Sequence, residues 1–284
     1  MKAKFSFMQL LTSVIRWVAS PIFALAPTLK PRFHTGLIRV WYWTIGFVLK
    51  NEDPAFLNYG YVPLDADTVG LKLDPEDETD RFSIQLYSRV AGGPDLRGKD
   101  VLEIGCGRGG GASFIARYLH PASLTGVDLS ARSVRYCRRR HRGERLTFLR
   151  GEAERLPLPD KSFDAVVNVE SSHCYVSFEG FLNEVARVLR TNGLFLFADL
   201  RPPEEMERIR EQIKQRFTVV EEEIITANVV RALELDSDRR NLLIQKRAPR
   251  FLRNVLQTFA SVNGSPIFNA FQSGALQYVR FVLR

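Results

Sequence analysis

The stretch Val101-Leu102-Glu103-Ile104-Gly105-Cys106-Gly107-Arg108-Gly109 constrains the fold more than any other part of the chain. A short apolar run of strand type ends in three glycines at alternate positions, and Gly111 to Leu119 then reads as a helix. Glycine lets the backbone turn tightly there and brings it against a ligand with no Cβ in the way. A strand that turns on glycines into a helix opens a nucleotide-binding α/β sheet. Glycine spacing alone is weak, because dinucleotide sites use similar glycines. Glu103 shifts the balance. A carboxylate before the turn repels the pyrophosphate that a dinucleotide site holds there, and it suits an ammonium group instead.

The alternation continues downstream. Strands are expected at Ser123 to Leu129, Leu146 to Leu149, Phe163 to Val169 and Leu194 to Leu200. Helices are expected at Asp80 to Val90, Ser130 to Arg140 with Ser130 as cap, Phe178 to Leu189, and Glu204 to Arg216. A β-like run, Phe217 to Ile225, and a closing strand, Leu276 to Leu283, complete the pattern. Strands alternating with helices imply a Rossmann-like α/β fold, a seven-stranded, mostly parallel sheet with helices on both faces. The expected division is an apolar helical extension and cap at 1–75 and a cofactor-binding core at 76–225. A helical lid at 226–275, broken at Pro249 and Gly264-Ser265-Pro266, precedes the closing strand at 276–284. Such a lid sits over the carboxyl ends of the parallel strands, where these sheets bind ligands. Leu64 to Asp80 is polar and acidic and reads as a loop.

Composition narrows the partners. The net charge of +8 favours anionic surfaces. Cys106, Cys137 and Cys174 lack ligand spacing and cannot all pair, which fits a reducing cytoplasm. The four histidines are scattered, so no metal site is expected. Phe5 to Pro27 is apolar but interrupted by Arg16 and Pro21, and Leu37 to Leu49 is short and aromatic. Neither reaches the roughly 20 residues of a spanning helix. The extension therefore reads as an amphipathic element, laid on a membrane surface or on the protein's own pocket.

Asp128 lies at the end of the strand after the glycine loop, where a carboxylate can accept both hydroxyls of a ribose. The glycine loop resembles the first motif of class I S-adenosylmethionine-dependent methyltransferases. Gly151 to Asp164 resembles their third-strand region. The resemblance implies S-adenosylmethionine as cofactor, with Glu103 toward its ammonium and Gly105, Cys106, Gly107 and Gly109 as the loop. Asp128 and Leu129 then belong to the ribose side. Glu152 is implied to meet the adenine amino group and Ala153 to offer its N–H to the ring. Asn168 is included at the end of the fourth strand. Asn58-Tyr59-Gly60-Tyr61 is similar to an aromatic-glycine element that closes over the methionine end, with the Tyr59 phenol toward the carboxylate. Gln85 is a weaker candidate of that kind. Glu154 reads as a solvated charge.

The resemblance narrows further. Lys99 to Asp128, Asn168 to Tyr175, Ala198-Asp199-Leu200-Arg201-Pro202, Ala227 to Arg231 and Gly274 to Phe281 resemble the mycobacterial phthiotriol/phenolphthiotriol dimycocerosate methyltransferases. The likeness covers roughly residues 50 to 284; Thr191-Asn192-Gly193 replaces their Pro-Gly-Gly. It implies O-methylation of a hydroxyl or carboxyl on a hydrophobic, lipid- or polyketide-like small molecule. A hydroxyl nucleophile gains from losing its proton, a task for neutral histidine. His173 follows the fourth strand at the active end and is the candidate base. Glu170 either orients His173 or meets the ammonium. His120 and His141 fall at helix ends away from that point, and His34 lies in the extension. Trp41, Trp43 and Phe251 are candidates to hold a greasy substrate. The competing readings are a C-methyltransferase of sterol or prenyl-quinone type and a non-methylating cyclase that keeps the cofactor. No Asn-Pro-Pro-aromatic motif or RNA-binding appendage points to nucleic acid.

Overall fold

The apolar strands of the sequence assemble into one sheet, flanked by the amphipathic helices between them. The computed structural model describes residues 55–65, 70–247 and 253–284. Expectations for residues 1–54, including Trp41 and Trp43, and for Phe251 lie outside the described residues. The strands are β1 (Asp100–Ile104), β2 (Ser123–Asp128), β3 (Leu146–Arg150), β4 (Phe163–Val169), β5 (Leu189–Arg201), β6 (Val219–Ile224) and β7 (Gln277–Leu283). They form a seven-stranded sheet in the order β3-β2-β1-β4-β5-β7-β6. β1 to β5 pair in parallel, and β7 runs antiparallel between β5 and β6.

Successive strand residues point to opposite faces, and the two faces bury different helices. Val101, Leu124, Val167 and Leu196 pack with α1 (Arg81–Ala91), α2 (Gly110–Tyr118) and α3 (Ala131–Arg140). Leu102, Val127, Val166 and Phe195 pack with α4 (Phe178–Val188) and α5 (Pro203–Lys214). The caps are those the sequence favours: Ser130 Oγ accepts from Ser133 N at 3.2 Å, and Ser177 Oγ from Gly180 N at 2.9 Å. Between β6 and β7 come α6 (Thr226–Arg247), α7 (Arg253–Phe259) and α8 (Pro266–Gln272). Among the described residues no helix is long and apolar enough to cross a membrane.

Two local expectations need correction. The acidic segment before α1 is not all loop, because Pro75–Asp80 forms a 3-10 helix. Asp77 anchors it by accepting from Arg117 at 2.8 Å and from the Tyr118 hydroxyl at 2.6 Å. The fourth helix ends at Val188, and Leu189 already pairs with Phe163 as the first residue of β5. Residues 190–193 then bulge before Leu194 pairs with Ala165, with Asn192 at φ +65°. Asparagine tolerates that left-handed turn, so the missing Pro-Gly-Gly costs the fold little.

Gly111 shows how closely α2 meets α1. A Cβ there would stand 2.0 Å from the ring of buried Tyr87. Gly111→Ala gains about 1 kcal/mol of helix propensity. It displaces a ring whose hydroxyl donates to Glu103 at 2.7 Å, and overpacking costs about 1–3 kcal/mol with a charged hydrogen bond adding about 1.5–3. The expected result is a net loss of about 1.5–5 kcal/mol, seen as a lower melting temperature. An unchanged melting temperature would contradict this packing.

Candidate active site

The glycine loop is tied to the next strand before any ligand arrives. Gly105 N and Cys106 N both donate to Val127 O, at 2.8 and 3.0 Å, and Gly109 N closes the turn on Cys106 O at 2.8 Å. Gly105, Gly107 and Gly109 all have positive φ. A Cβ on Gly105 would lie 2.2 Å from Ser171 Oγ, whereas one on Gly107 would meet nothing within 4 Å. Gly105 is therefore required by the protein's own packing, and Gly107 by its backbone angle beside open space. Asp128 ends β2 under this loop. One carboxylate oxygen accepts from Gly107 N at 2.9 Å and the other from Ser130 N at 2.8 Å. Burial raises its pKa to about 6, against those two bonds. Leu129 beside it is exposed. Cys106 is buried, and its contact with Cys137, together with burial, holds the thiol protonated.

Several buried acceptors have no partner. Glu103 takes the Tyr87 hydroxyl on Oε1, while Oε2 is unanswered. Burial lifts its carboxyl to about 7. Asn168 Nδ2 contacts Ile104 O at 2.9 Å, Ser171 Oγ at 2.7 Å and the Tyr175 hydroxyl at 2.9 Å, leaving Oδ1 without a donor. Gln85 Oε1 is likewise buried and unpaired. Each such atom costs about 1–3 kcal/mol unless a donor arrives. A ligand rich in donors, with an ammonium and hydroxyls, fits this set. Glu152 and Ala153 follow β3, with Ala153 buried and Glu152 in a bridge to Arg155. Glu154 is not merely solvated, since its Oε1 accepts from Val176 N at 2.6 Å and Ser177 N at 3.0 Å.

The Tyr59 phenol lies by Ser261 and packs edge-on against Phe271 at 5.7 Å. Its backbone explains the orientation: Tyr59 N donates to Glu170 Oε1 at 2.8 Å, and Tyr59 O accepts from Arg240 at 3.0 Å. Glu170 sits at φ +47°, past the end of β4. Burial raises its carboxyl to about 7, opposed by the Tyr59 N–H and by Tyr278.

Glu170 is therefore not the orienting partner of His173. That partner is Asp199, on β5. His173 Nδ1 lies 2.8 Å from Asp199 Oδ1, and the His173 side chain is 24% exposed while Asp199 is fully buried. Asp199 is held from every side: Ser172 Oγ donates at 2.6 Å, His173 N at 3.0 Å and Leu200 N at 2.8 Å, with Arg201 Nη1 at 3.2 Å. Burial opposes the charge on Asp199, but Arg201 and His173 outweigh it and depress its pKa. Burial also opposes a charge on His173, but Cys174 and Asp199 outweigh it and raise its pKa well above the usual value. The ring thus has two protein partners, Asp199 and the neighbouring Cys174, and keeps part of its surface exposed.

The comparisons decide the family. A model described as a methyltransferase domain matches residues 102–197. The chain is 45% identical over 212 residues to the fatty-acid O-methyltransferase of Mycolicibacterium smegmatis, covering 74% of this chain and 77% of that one. It is 41% identical over 244 residues to the phthiotriol/phenolphthiotriol dimycocerosates methyltransferase of Mycobacterium tuberculosis, covering 84% and 88%. The chain belongs to the S-adenosylmethionine-dependent methyltransferases. The methyltransferase also shares its fold with the crystallised [4+2]-cyclase SpnF, at a TM-score of 0.60, 19% identity and coverage of 84% and 90%.

Within the methyltransferase, the structure gathers Glu103, the loop glycines, Asp128 and Asn168 at the carboxyl ends of β1, β2 and β4. Sequence reasoning missed Tyr87 and Asp199. A carboxylate inside the apolar strand Leu194 to Leu200, two residues before an arginine, was a usable signal for Asp199. It also misplaced His141, whose Nε2 lies 2.9 Å from Arg108 O of the glycine loop.

Proposed function

We propose that this methyltransferase O-methylates a hydroxyl, or a carboxyl, on a lipid- or polyketide-like small molecule, with His173 as the base. The carrying observation is the His173–Asp199 pair, which holds the imidazole by Nδ1 on a partly exposed ring. The substrates in the names of the two mycobacterial relatives support a hydrophobic acceptor. Bound S-adenosylmethionine supplies a methyl group already activated on a sulfonium. The protein's work is then to align the acceptor and take its proton, and alignment is worth about 7–11 kcal/mol in favourable cases. Glu170 fixes Tyr59 at the seam between β4 and the helices α6–α8, which act as the lid. Incubation with methyl-labelled cofactor and hydroxylated long-chain lipids tests the acceptor. Label in an ether or ester supports it, and label on carbon favours the C-methylating alternative.

The same reading assigns the cofactor contacts. Asp128 and Leu129 hold the ribose side, Glu152 and Ala153 the adenine, and Glu103, Gln85 and Asn168 the methionine end along the glycine loop. Asp128→Ala removes the acceptors for two hydroxyls. A loss of roughly 1.5–3 kcal/mol is expected, that is, weaker binding of S-adenosylhomocysteine in calorimetry by ten- to a hundredfold or so. Unchanged affinity would sink the assignment. Ligand-free Asp128 and Glu103 have pKa values raised to about 6 and about 7. A ligand that prefers their charged forms lowers both, so binding releases protons and affinity climbs as pH rises through 6 and 7.

The apolar, aromatic composition of residues 1–54 and the net charge of +8 support peripheral contact with a cytoplasmic membrane face.

A further inference from the structure

We propose that the edge of the sheet formed by α3 and β3 is a docking face for anionic lipid headgroups. Between residues 130 and 150 the sequence carries eight arginines and one acidic residue, Glu144. The fold puts these charges on one side. Val134, Tyr136 and Cys137 of α3 turn inward, and Arg132, Arg135, Arg138 and Arg139 turn to solvent. Arg142 and Arg145 continue the exposed series into β3, whose outer side pairs with no strand among the described residues. No carboxylate among the described residues pairs with Arg135, Arg142 or Arg145. An open notch of about 350 Å³ lies in this face, lined by Arg138, His141, Arg142, Leu146 and Thr147. It has the size and charge for a phosphate-bearing headgroup.

A second observation points to a membrane as the source of that phosphate. The apolar residues 1–54 join the described chain at Ala55, beside this face. Gly110 N donates to Ala55 O at 3.2 Å, and a Cβ on Gly110 would meet Phe56 at 2.8 Å. A Cβ on the preceding residue, Gly109, would meet His141 at 2.9 Å and Cys137 at 3.0 Å. One residue thus separates the point where the apolar extension enters from the floor of the basic notch. Basic charge beside an apolar segment is the two-signal arrangement that holds a protein on an anionic bilayer. Nucleic acid shares the charge but gives the apolar segment no role. His141 also touches the Arg108 carbonyl, so the face backs directly onto the cofactor loop.

The test is co-sedimentation of the full chain with vesicles of phosphatidylcholine, with or without phosphatidylglycerol. Wild type should partition onto the anionic vesicles and lose affinity as salt rises. The triple variant R135A/R142A/R145A should bind them about 100-fold less well, at about fivefold per arginine. Its affinity for S-adenosylhomocysteine and its transfer to detergent-dispersed substrate should be unchanged, which shows that it folds. A triple variant that partitions like wild type overturns the proposal. So does equal binding to neutral vesicles, or binding to duplex DNA with none to vesicles. Deleting residues 1–40 should weaken binding but keep its dependence on phosphatidylglycerol; loss of that dependence would assign it to the extension. The purpose of the docking rests on the lipid-like acceptor proposed above. A wild type that binds anionic vesicles yet methylates no lipid overturns that acceptor and leaves the docking face standing.

Discussion

Replacing His173 with alanine is expected to slow single-turnover methyl transfer by about 10²–10⁴-fold, the usual worth of a positioned base. Cofactor affinity should stay within a factor of a few, because the ring is held by Asp199 on β5 and not by the glycine loop that follows β1. A measurable residual rate should survive, since the methyl donor needs no activation. The pH profile carries further information. Free histidine titrates near 6.5, and Asp199 and Cys174 raise His173 well above its ordinary value despite burial. The wild-type rate should therefore rise with pH through a pKa above that of free histidine, giving an alkaline optimum. The alanine variant should lose this limb. The sign for stability is opposite. A raised histidine pKa stabilises the fold fully below about pH 6.5 and ceases to do so as pH rises through the folded value. Ser172, Arg201 and two backbone N–H groups still hold Asp199 under those conditions. A variant rate within a factor of a few of wild type would reduce His173 to a structural residue.

Asp199→Asn should have the second large effect, on two readouts at once. Asp199 is fully buried against Arg201, which is itself 5% exposed. Removing one partner of a buried pair costs about 3–5 kcal/mol, so the melting temperature should fall clearly. Loss of the carboxylate also removes the charge that favours the imidazolium. The rising limb should move to lower pH, and turnover should drop by roughly 10²-fold or more as the ring loses its orienting acceptor. Asp199→Glu keeps the charge and should keep the limb nearer its wild-type position. A lower melting temperature with an unshifted profile would make Asp199 purely structural.

The chain's alternation of period-two and helical patterns made the sheet legible, and Ser130 and the glycine loop located the strand-to-helix turns. The positions of Glu103 and Asp128 at the carboxyl ends of β1 and β2, and of Glu152 just past β3, were readable for the same reason, because local sequence fixes them. The rest depended on contacts between distant segments. The direction of the Tyr59 phenol is decided by Phe271, Ser261 and Arg240, far downstream. Nothing in α1 marks Tyr87 as the partner of Glu103 and not a plain core aromatic. Closeness in sequence makes Glu170 the candidate acid behind His173, but its positive φ goes with a side chain bonded to Tyr59 N, and Asp199 on the next strand takes that place.

The central claim is methyl transfer to oxygen on a lipid-like acceptor. Single-turnover reaction with cofactor labelled at the methyl group, followed by carbon NMR of the extracted lipid, tests it most directly. The account predicts one labelled methoxyl carbon per acceptor, as an ether or ester, with its yield reduced in the His173→Ala variant. Label in a carbon-bound methyl group, or a transformed lipid with no label at all, would contradict it.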